Sequence, residues 1–273
     1  MNDLQKPIGF FDSGVGGLSV LQHTLELLPN ENYIYYGDLA HAPYGSKPLK
    51  EVRRLTNLAV AHLLAQNIKA LVVACNTATS AAIDEMRTLY PDLPILGIEP
   101  ALKPAVEATR SGTIVVMATE RTLSEKKFSR LSTLVARERT VYPMMCPGLV
   151  ELIEAGDLAD PRIESYLRER FAPLKDESIA AVVLGCTHYP FIRPTLERIL
   201  GPAPLIFDGA EGISRHLERI LTQRNLRNPG PGPGEVILQS SDHPASFEAL
   251  SRRLLSQSAK RATAPFQDPM KHP

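Results

Sequence analysis

Cysteine is scarce in this chain. Three cysteines among 273 residues, an odd number at wide spacing and without a CxxC pair, exclude a disulfide framework and a structural zinc site. The thiols are expected to be reduced and free for chemistry. Net charge is lacking as well, since Lys+Arg and Asp+Glu both number 30, so no field of one sign favours nucleic acid, anionic lipid or an acidic partner. No uninterrupted apolar run approaches the length of a membrane span. The N-terminus, MNDLQKPIGFF, has no basic region followed by an apolar run and a small-residue cleavage site. A cytoplasmic protein without nucleic-acid or membrane partners is expected. HExxH and Walker motifs are absent, and His23, His41, His62, His216, His243 and His272 show no metal-binding spacing, so no metal ligand is assigned.

What the chain has is length, 273 residues of which 44% are hydrophobic, enough for two compact domains or one large one. Short apolar runs at 8–11, 33–36, 71–74, 95–98, 113–117, 180–184, 205–207 and 236–239 are rich in β-branched or aromatic residues and read as buried strands. Between them, segments such as 18–28, 49–66 and 195–200 carry apolar residues at helical spacing. This alternation predicts an α/β fold with mostly parallel sheets. The run NLRNPGPGPG at 225–234 reads as a linker unable to join a helix or sheet interior, and it precedes a last strand and a helix over 244–256.

Several predicted strands end in a small or polar turn before the next helix: DSGVGG at 12–17, CNTAT at 75–79, ATERT at 118–122 and GCTHYP at 185–190. Ligands bind beyond the carboxyl ends of parallel strands, so these turns are where chemistry belongs. The turns around Cys75 and Cys186 resemble each other, which suggests two related α/β halves that each present one cysteine. The alternative is that βα units simply look alike. A cysteine between a strand end and a helix start sits where oriented N–H groups favour the thiolate. Cys146 has no matching turn and reads as structural.

The glycine-rich turn after the first strand also fits a dinucleotide site, with Asp38 at the spacing of a ribose-binding acid. Against this, Ser19 stands where the third glycine belongs, and Asp12 would repel a pyrophosphate. An acid beside a hydroxyl and a helix start suits an amino-acid zwitterion better, with Asp12 near its ammonium and Ser13 near its carboxylate. Asn76, Thr77, Thr187 and His188 place neutral donors and acceptors beside the thiols, and His188 is in position to assist Cys186. The Pro43-Tyr44-Gly45 turn can reach the mouth of a cleft, and Glu151 falls in the first turn of a helix.

Taken in order, DSGVGG, PYG at 43–45, ACNTAT at 74–79 and GCTHYP at 185–190 closely resemble the bacterial glutamate racemases of the aspartate/glutamate racemase superfamily, over nearly the whole chain to about residue 256. The resemblance implies two pseudosymmetric three-layer α/β domains with the active site in the cleft between them. Residues 1–98 with 208–256 would form the first, residues 99–207 the second, and residues 257–273 a frayed tail. It implies interconversion of L- and D-glutamate for peptidoglycan synthesis, with no pyridoxal phosphate or other cofactor and no metal. A homodimer is left open. By the same resemblance Cys75 and Cys186 are the two proton donor/acceptors, the former acting on the D-enantiomer and the latter on the L-enantiomer. Asp12, Glu151 and His188 match the assisting groups, and Ser13, Tyr44, Gly45, Asn76, Thr77, Thr119 and Thr187 match substrate-binding positions, to which Asp12 and His188 also contribute.

Two opposed bases make physical sense, because inverting a stereocentre through a planar carbanion means taking a hydrogen from one face and returning one to the other. Residue types do not separate glutamate from aspartate or another small acid as the substrate of such a racemase, and two readings of other classes stay open on the residues alone. One is a cysteine hydrolase or lyase with Cys186 as nucleophile and His188 as base, which would leave Cys75 dispensable. The other is a binding protein that uses the cleft only as a sensor.

Overall fold

The computed structural model describes residues 3–124, 128–129 and 139–259. All eight expected strands form: β1 (Ile8–Asp12), β2 (Tyr33–Gly37), β3 (Ala70–Val73), β4 (Ile95–Gly97), β5 (Thr113–Ala118), β7 (Ile179–Leu184), β8 (Leu205–Asp208) and β9 (Val236–Ser240). A ninth, β6 (Thr140–Met145), escapes the sequence pattern. It is mostly exposed and carries Pro143, which pairs with Val116 of β5. Proline is tolerated there because β6 is an edge strand and need not donate to a second neighbour.

The strands form two sheets with every pairing parallel, ordered β4-β3-β1-β2-β9 and β6-β5-β7-β8. Matching β1, β2, β3 and β4 to β5, β6, β7 and β8 gives the same neighbour order in both, with β9 as an addition to the first sheet. Within strands, alternate residues face opposite layers. Ile8 and Phe10 join one apolar cluster while Phe11 joins another, and Val115 and Met117 part in the same way from Ile114 and Val116. The helices that cover these faces are α1 (Leu18–Leu27), α2 (Leu49–Leu64), α3 (Asn76–Leu89), α4 (Leu102–Ala108), α5 (Glu120–Ser124), α6 (Leu149–Glu154), α7 (Pro161–Phe171), α8 (Arg193–Leu200), α9 (Ala210–Gln223) and α10 (Pro244–Ala259).

The ends of the first sheet remote from the cysteines are tied by a buried ion pair. Lys69 Nζ lies 2.5 Å from Glu31 Oε2 and donates to the carbonyl of Leu226, while Glu31 Oε1 accepts from the Asn228 N–H. Burial lowers the Lys69 pKa, against the opposing pull of Glu31. The proline/glycine segment at 225–234 is thereby fastened to β3, although it joins no helix or strand. The tail expected from residue 257 lies outside the described residues from 260 onward, and α10 itself runs to Ala259.

Candidate active site

Parallel strands deliver their carboxyl ends to one edge of each sheet, and the two edges meet. Asp12 closes β1, Cys75 follows β3 as the N-cap of α3, Thr119 follows β5, and Cys186 follows β7. By the neighbour order above, β3 and β7 are counterparts, so the two cysteines leave equivalent strands of the two sheets. Both line one cavity, together with Ser13, Tyr44, Gly45, Asn76, Thr77, Thr119, Thr187 and His188. The cavity is narrow, about 10 Å³, room for about one water.

The first half contributes a set of directed polar groups. Ser13 Oγ sits 3.5 Å from Cys75 Sγ. Asp12 is fully buried and accepts from the Gly14 N–H at 2.7 Å and from the Thr187 hydroxyl at 3.0 Å. Burial raises the Asp12 pKa, opposed by His188 and by those two bonds. Burial also pushes the Cys75 thiol up to about 12, with Asp12 adding to the effect and Ser13 opposing it. Tyr44 is buried and donates to Asp38 Oδ2 at 2.6 Å, and His41 holds the same carboxylate. Asp38 is thus engaged in orienting the Tyr44 turn rather than offered to a ribose. The side-chain oxygen of Asn76 is buried and has no hydrogen-bond partner among the described residues.

On the second half, Cys186 Sγ lies 3.7 Å from His188 Nδ1, and His188 Nε2 lies 2.6 Å from Glu154 Oε1. Burial works against charge on His188, but the bonds to Cys186 and Glu154 outweigh it and hold the pKa well above the ordinary imidazole value. Glu154 is the mirror case: burial would raise its pKa, but the bond and charge of His188 bring it below the usual carboxylate range. The imidazole beside Cys186 is therefore held protonated by a carboxylate behind it.

Glu154 is the residue that the sequence reading missed. The structure leaves Glu151 exposed, on the wall of an adjoining recess of about 220 Å³ with Glu120, Met145 and Arg170, while Glu154 reaches His188. Nothing local in the sequence singles it out: only in the folded chain does Gly148, left-handed at φ 80°, set the start of α6. Glu154 then follows Val150 by four residues and shares its face, and Val150 lines the cavity. Glu151 falls off that face.

Contacts across the cleft also decide what the glycine-rich turn is for. A Cβ on Gly14 would lie 2.0 Å from Glu154 Oε1, and one on Gly16 would lie 2.4 Å from His188 Nδ1. The glycines admit side chains of the other half, where a dinucleotide site would admit a pyrophosphate. Thr77 and Thr119, from opposite halves, meet at 3.1 Å. All three cysteines are free and buried, and no group of metal-ligating side chains occurs among the described residues. No helix among them is long and apolar enough to cross a membrane.

Residues 13–213 match the family described as Asp/Glu/Hydantoin racemase. The glutamate racemase of Clostridium perfringens is 48% identical over 249 residues, which cover 91% of this chain and 96% of the relative. Among solved structures, glutamate racemase from Francisella tularensis in complex with D-glutamate superposes with a TM-score of 0.80 at 28% identity, covering 93% of this chain and 94% of that one. The Escherichia coli glutamate racemase, in complex with L-glutamate and the activator UDP-MurNAc-Ala, gives a TM-score of 0.78 at 28% identity over 94% and 95% of the two chains. With two parallel sheets, a cleft carrying paired cysteines and a family match over most of its length, this chain is an enzyme that belongs to the Asp/Glu/hydantoin racemase family. Within that family its near-full-length relatives place it among the bacterial glutamate racemases.

Proposed function

We propose that this enzyme interconverts L- and D-glutamate by moving a proton between Cys75, Cys186 and the two faces of the substrate α-carbon. The observation that carries the reading is that two cysteines from equivalent strands of two sheets line one cavity. A single base would be badly placed for such an inversion, whereas opposed thiols can remove and return hydrogen on opposite faces. In the forward direction a Cys186 thiolate beside the His188 imidazolium takes the proton of L-glutamate, and the Cys75 thiol, which burial keeps protonated, donates to the other face. The reverse reaction exchanges the roles, and one cysteine is thiol whenever the other is thiolate.

The α-proton of an amino acid is weakly acidic, so the carbanion needs fixed donors at the substrate carboxylate. Ser13, Thr77 and Thr119 supply hydroxyls, and the start of α3 behind Cys75 adds N–H groups. The unpartnered Asn76 oxygen offers an acceptor to the substrate ammonium, alongside Asp12. Since the cavity holds little more than a water, glutamate reaches it only when the two halves part, and their return excludes solvent from the reacting carbon. The D-glutamate produced would supply peptidoglycan synthesis.

Incubation with L-glutamate in D₂O without added cofactor should yield D-glutamate bearing deuterium at the α-carbon, read by NMR and chiral chromatography. Absence of both product and exchange would overturn the reading. Retention of activity in Cys75→Ser would favour a cysteine hydrolase or lyase in its place.

A further inference from the structure

We infer that Ser19 is a positioning residue for the Cys186 side of the reaction: from the first half of the molecule it supplies a hydrogen bond that Pro190 withholds from the carbonyl between Cys186 and His188. The inference rests on the two-cysteine reading above.

The chain turns tightly after Cys186. Tyr189 N–H donates to the carbonyl of Cys186 at 3.1 Å, and Phe191 N–H donates to that of His188 at 3.2 Å. Between these two i to i+3 bonds belongs a third, from residue 190 to the carbonyl of Thr187. Residue 190 is proline and has no N–H to give. Thr187 is only 3% exposed, and a buried carbonyl without a donor is costly.

The donor arrives from α1. Ser19 Oγ lies 3.0 Å from the Thr187 carbonyl oxygen and 2.8 Å from that of Gly16. The Gly16 carbonyl already accepts the Ser19 backbone N–H at 3.0 Å, so of the two acceptors it is Thr187 that depends on the hydroxyl. A second tie runs the other way round, from the Thr187 hydroxyl to Asp12 Oδ2 at 3.0 Å. The residue joining Cys186 to His188 is thus held at its carbonyl and at its side chain by one segment of the opposite half. There is no slack in this contact, since a Cβ at Gly16 would come within 2.6 Å of Thr187 Oγ1.

Cys75 has no such dependence. The counterpart of Thr187 there is Asn76, the first residue of a regular fourteen-residue helix with no proline in it, so its carbonyl is served by the helix that the Thr79 N–H opens on the Cys75 carbonyl at 2.8 Å. Loss of the Ser19 hydroxyl should therefore disturb the two proton transfers unequally, which a general loss of packing would not do.

The test uses the full-length enzyme and α-deuterated substrates in both directions. In Ser19→Ala, kcat/KM should fall about tenfold, as expected for an orphaned buried carbonyl, with the loss mainly in kcat. The α-deuterium isotope effect on kcat/KM should rise for L-glutamate, whose hydrogen goes to Cys186, and change less for D-glutamate. Ser19→Thr keeps the hydroxyl and should stay within about threefold of the unmodified enzyme. The double variant Ser19→Ala/Pro190→Ala restores an N–H at position 190 and should recover most of the loss relative to Ser19→Ala, or fold where that single variant does not. An unchanged ratio of the two isotope effects in Ser19→Ala, or a Ser19→Thr variant as impaired as Ser19→Ala, overturns the inference. Failure of the two-cysteine reading would show separately, as racemisation retained in Cys75→Ser or Cys186→Ser with Ser19 unchanged.

Discussion

Cys75 and Cys186 leave equivalent strands of two sheets with the same neighbour order, yet their surroundings differ in kind. Cys75 caps a helix of fourteen residues, touches the neutral Ser13 hydroxyl and is kept a thiol by burial. Cys186 precedes a short proline-containing turn and faces His188, which Glu154 holds protonated. One position is organised by its own helix and the other by a charge pair and by bonds from across the cleft. In the proposed reaction, a symmetric inversion would be run by an asymmetric site. A duplicated topology fixes where the two thiols stand, while different neighbours give them different electrostatic surroundings.

The comparison is broken most severely at the sulfurs themselves. Cys75→Ser and Cys186→Ser should each lower kcat for racemisation by about 10²- to 10⁴-fold, the usual worth of a positioned acid or base, as measured by circular dichroism with either enantiomer. Comparable residual activity in one variant but not the other would show that only one cysteine is needed. A change at the remote end of the first sheet should spare the chemistry: Lys69→Met leaves Glu31 buried without its cation and should cost about 3–5 kcal/mol of stability in urea. In the fraction that remains folded, KM should be unaltered.

Glu154→Gln removes the charge behind His188 and should lower kcat by about tenfold or more, with the basic limb of the pH profile moved to lower pH. The same variant tests the linkage. His188 has a raised folded pKa, so its contribution to stability is complete below its ordinary value of 6.5 and fades as pH rises through the folded value. Glu154 has a lowered folded pKa, so its contribution is complete above 4.5 and is lost as pH falls through the depressed value. The gap in urea midpoint between Glu154→Gln and the unmodified protein should thus be widest between those limits, and narrower at alkaline pH. Smallest of all, Glu151→Gln on the exposed wall of the recess should change kcat/KM by no more than about twofold. A larger loss there than at Glu154 would return the assisting role to Glu151.

Much of the fold was legible because buried parallel strands are short apolar runs and their turns are rich in small and polar residues, as at 70–79 and 179–188. β6 was not, since most of its residues are exposed and a proline stands at position 143. The cysteine pair, its hydroxyl neighbours and His188 were legible because they adjoin strand ends. Glu154 was hidden among ordinary helix residues, where choosing it over Glu151 depends on how α6 is rotated against the cavity. Ser19 read as a departure from a glycine pattern. Its partner is 168 residues away, beyond the reach of any local rule.

By itself the sequence determined the alternation of strand and helix, the two cysteine turns and the proline that leaves one carbonyl without a donor. These follow from hydrophobic period, backbone sterics and the chemistry of single residues, all of them local. Tertiary structure alone decided that the two turns share one cavity, that Glu154 meets His188, and that the glycines of the first turn admit side chains of the second half. Each of these depends on how two sheets, built from distant stretches of chain, bring the carboxyl ends of their strands together. Distance and burial then set the charge of His188 and the protonation of Cys75.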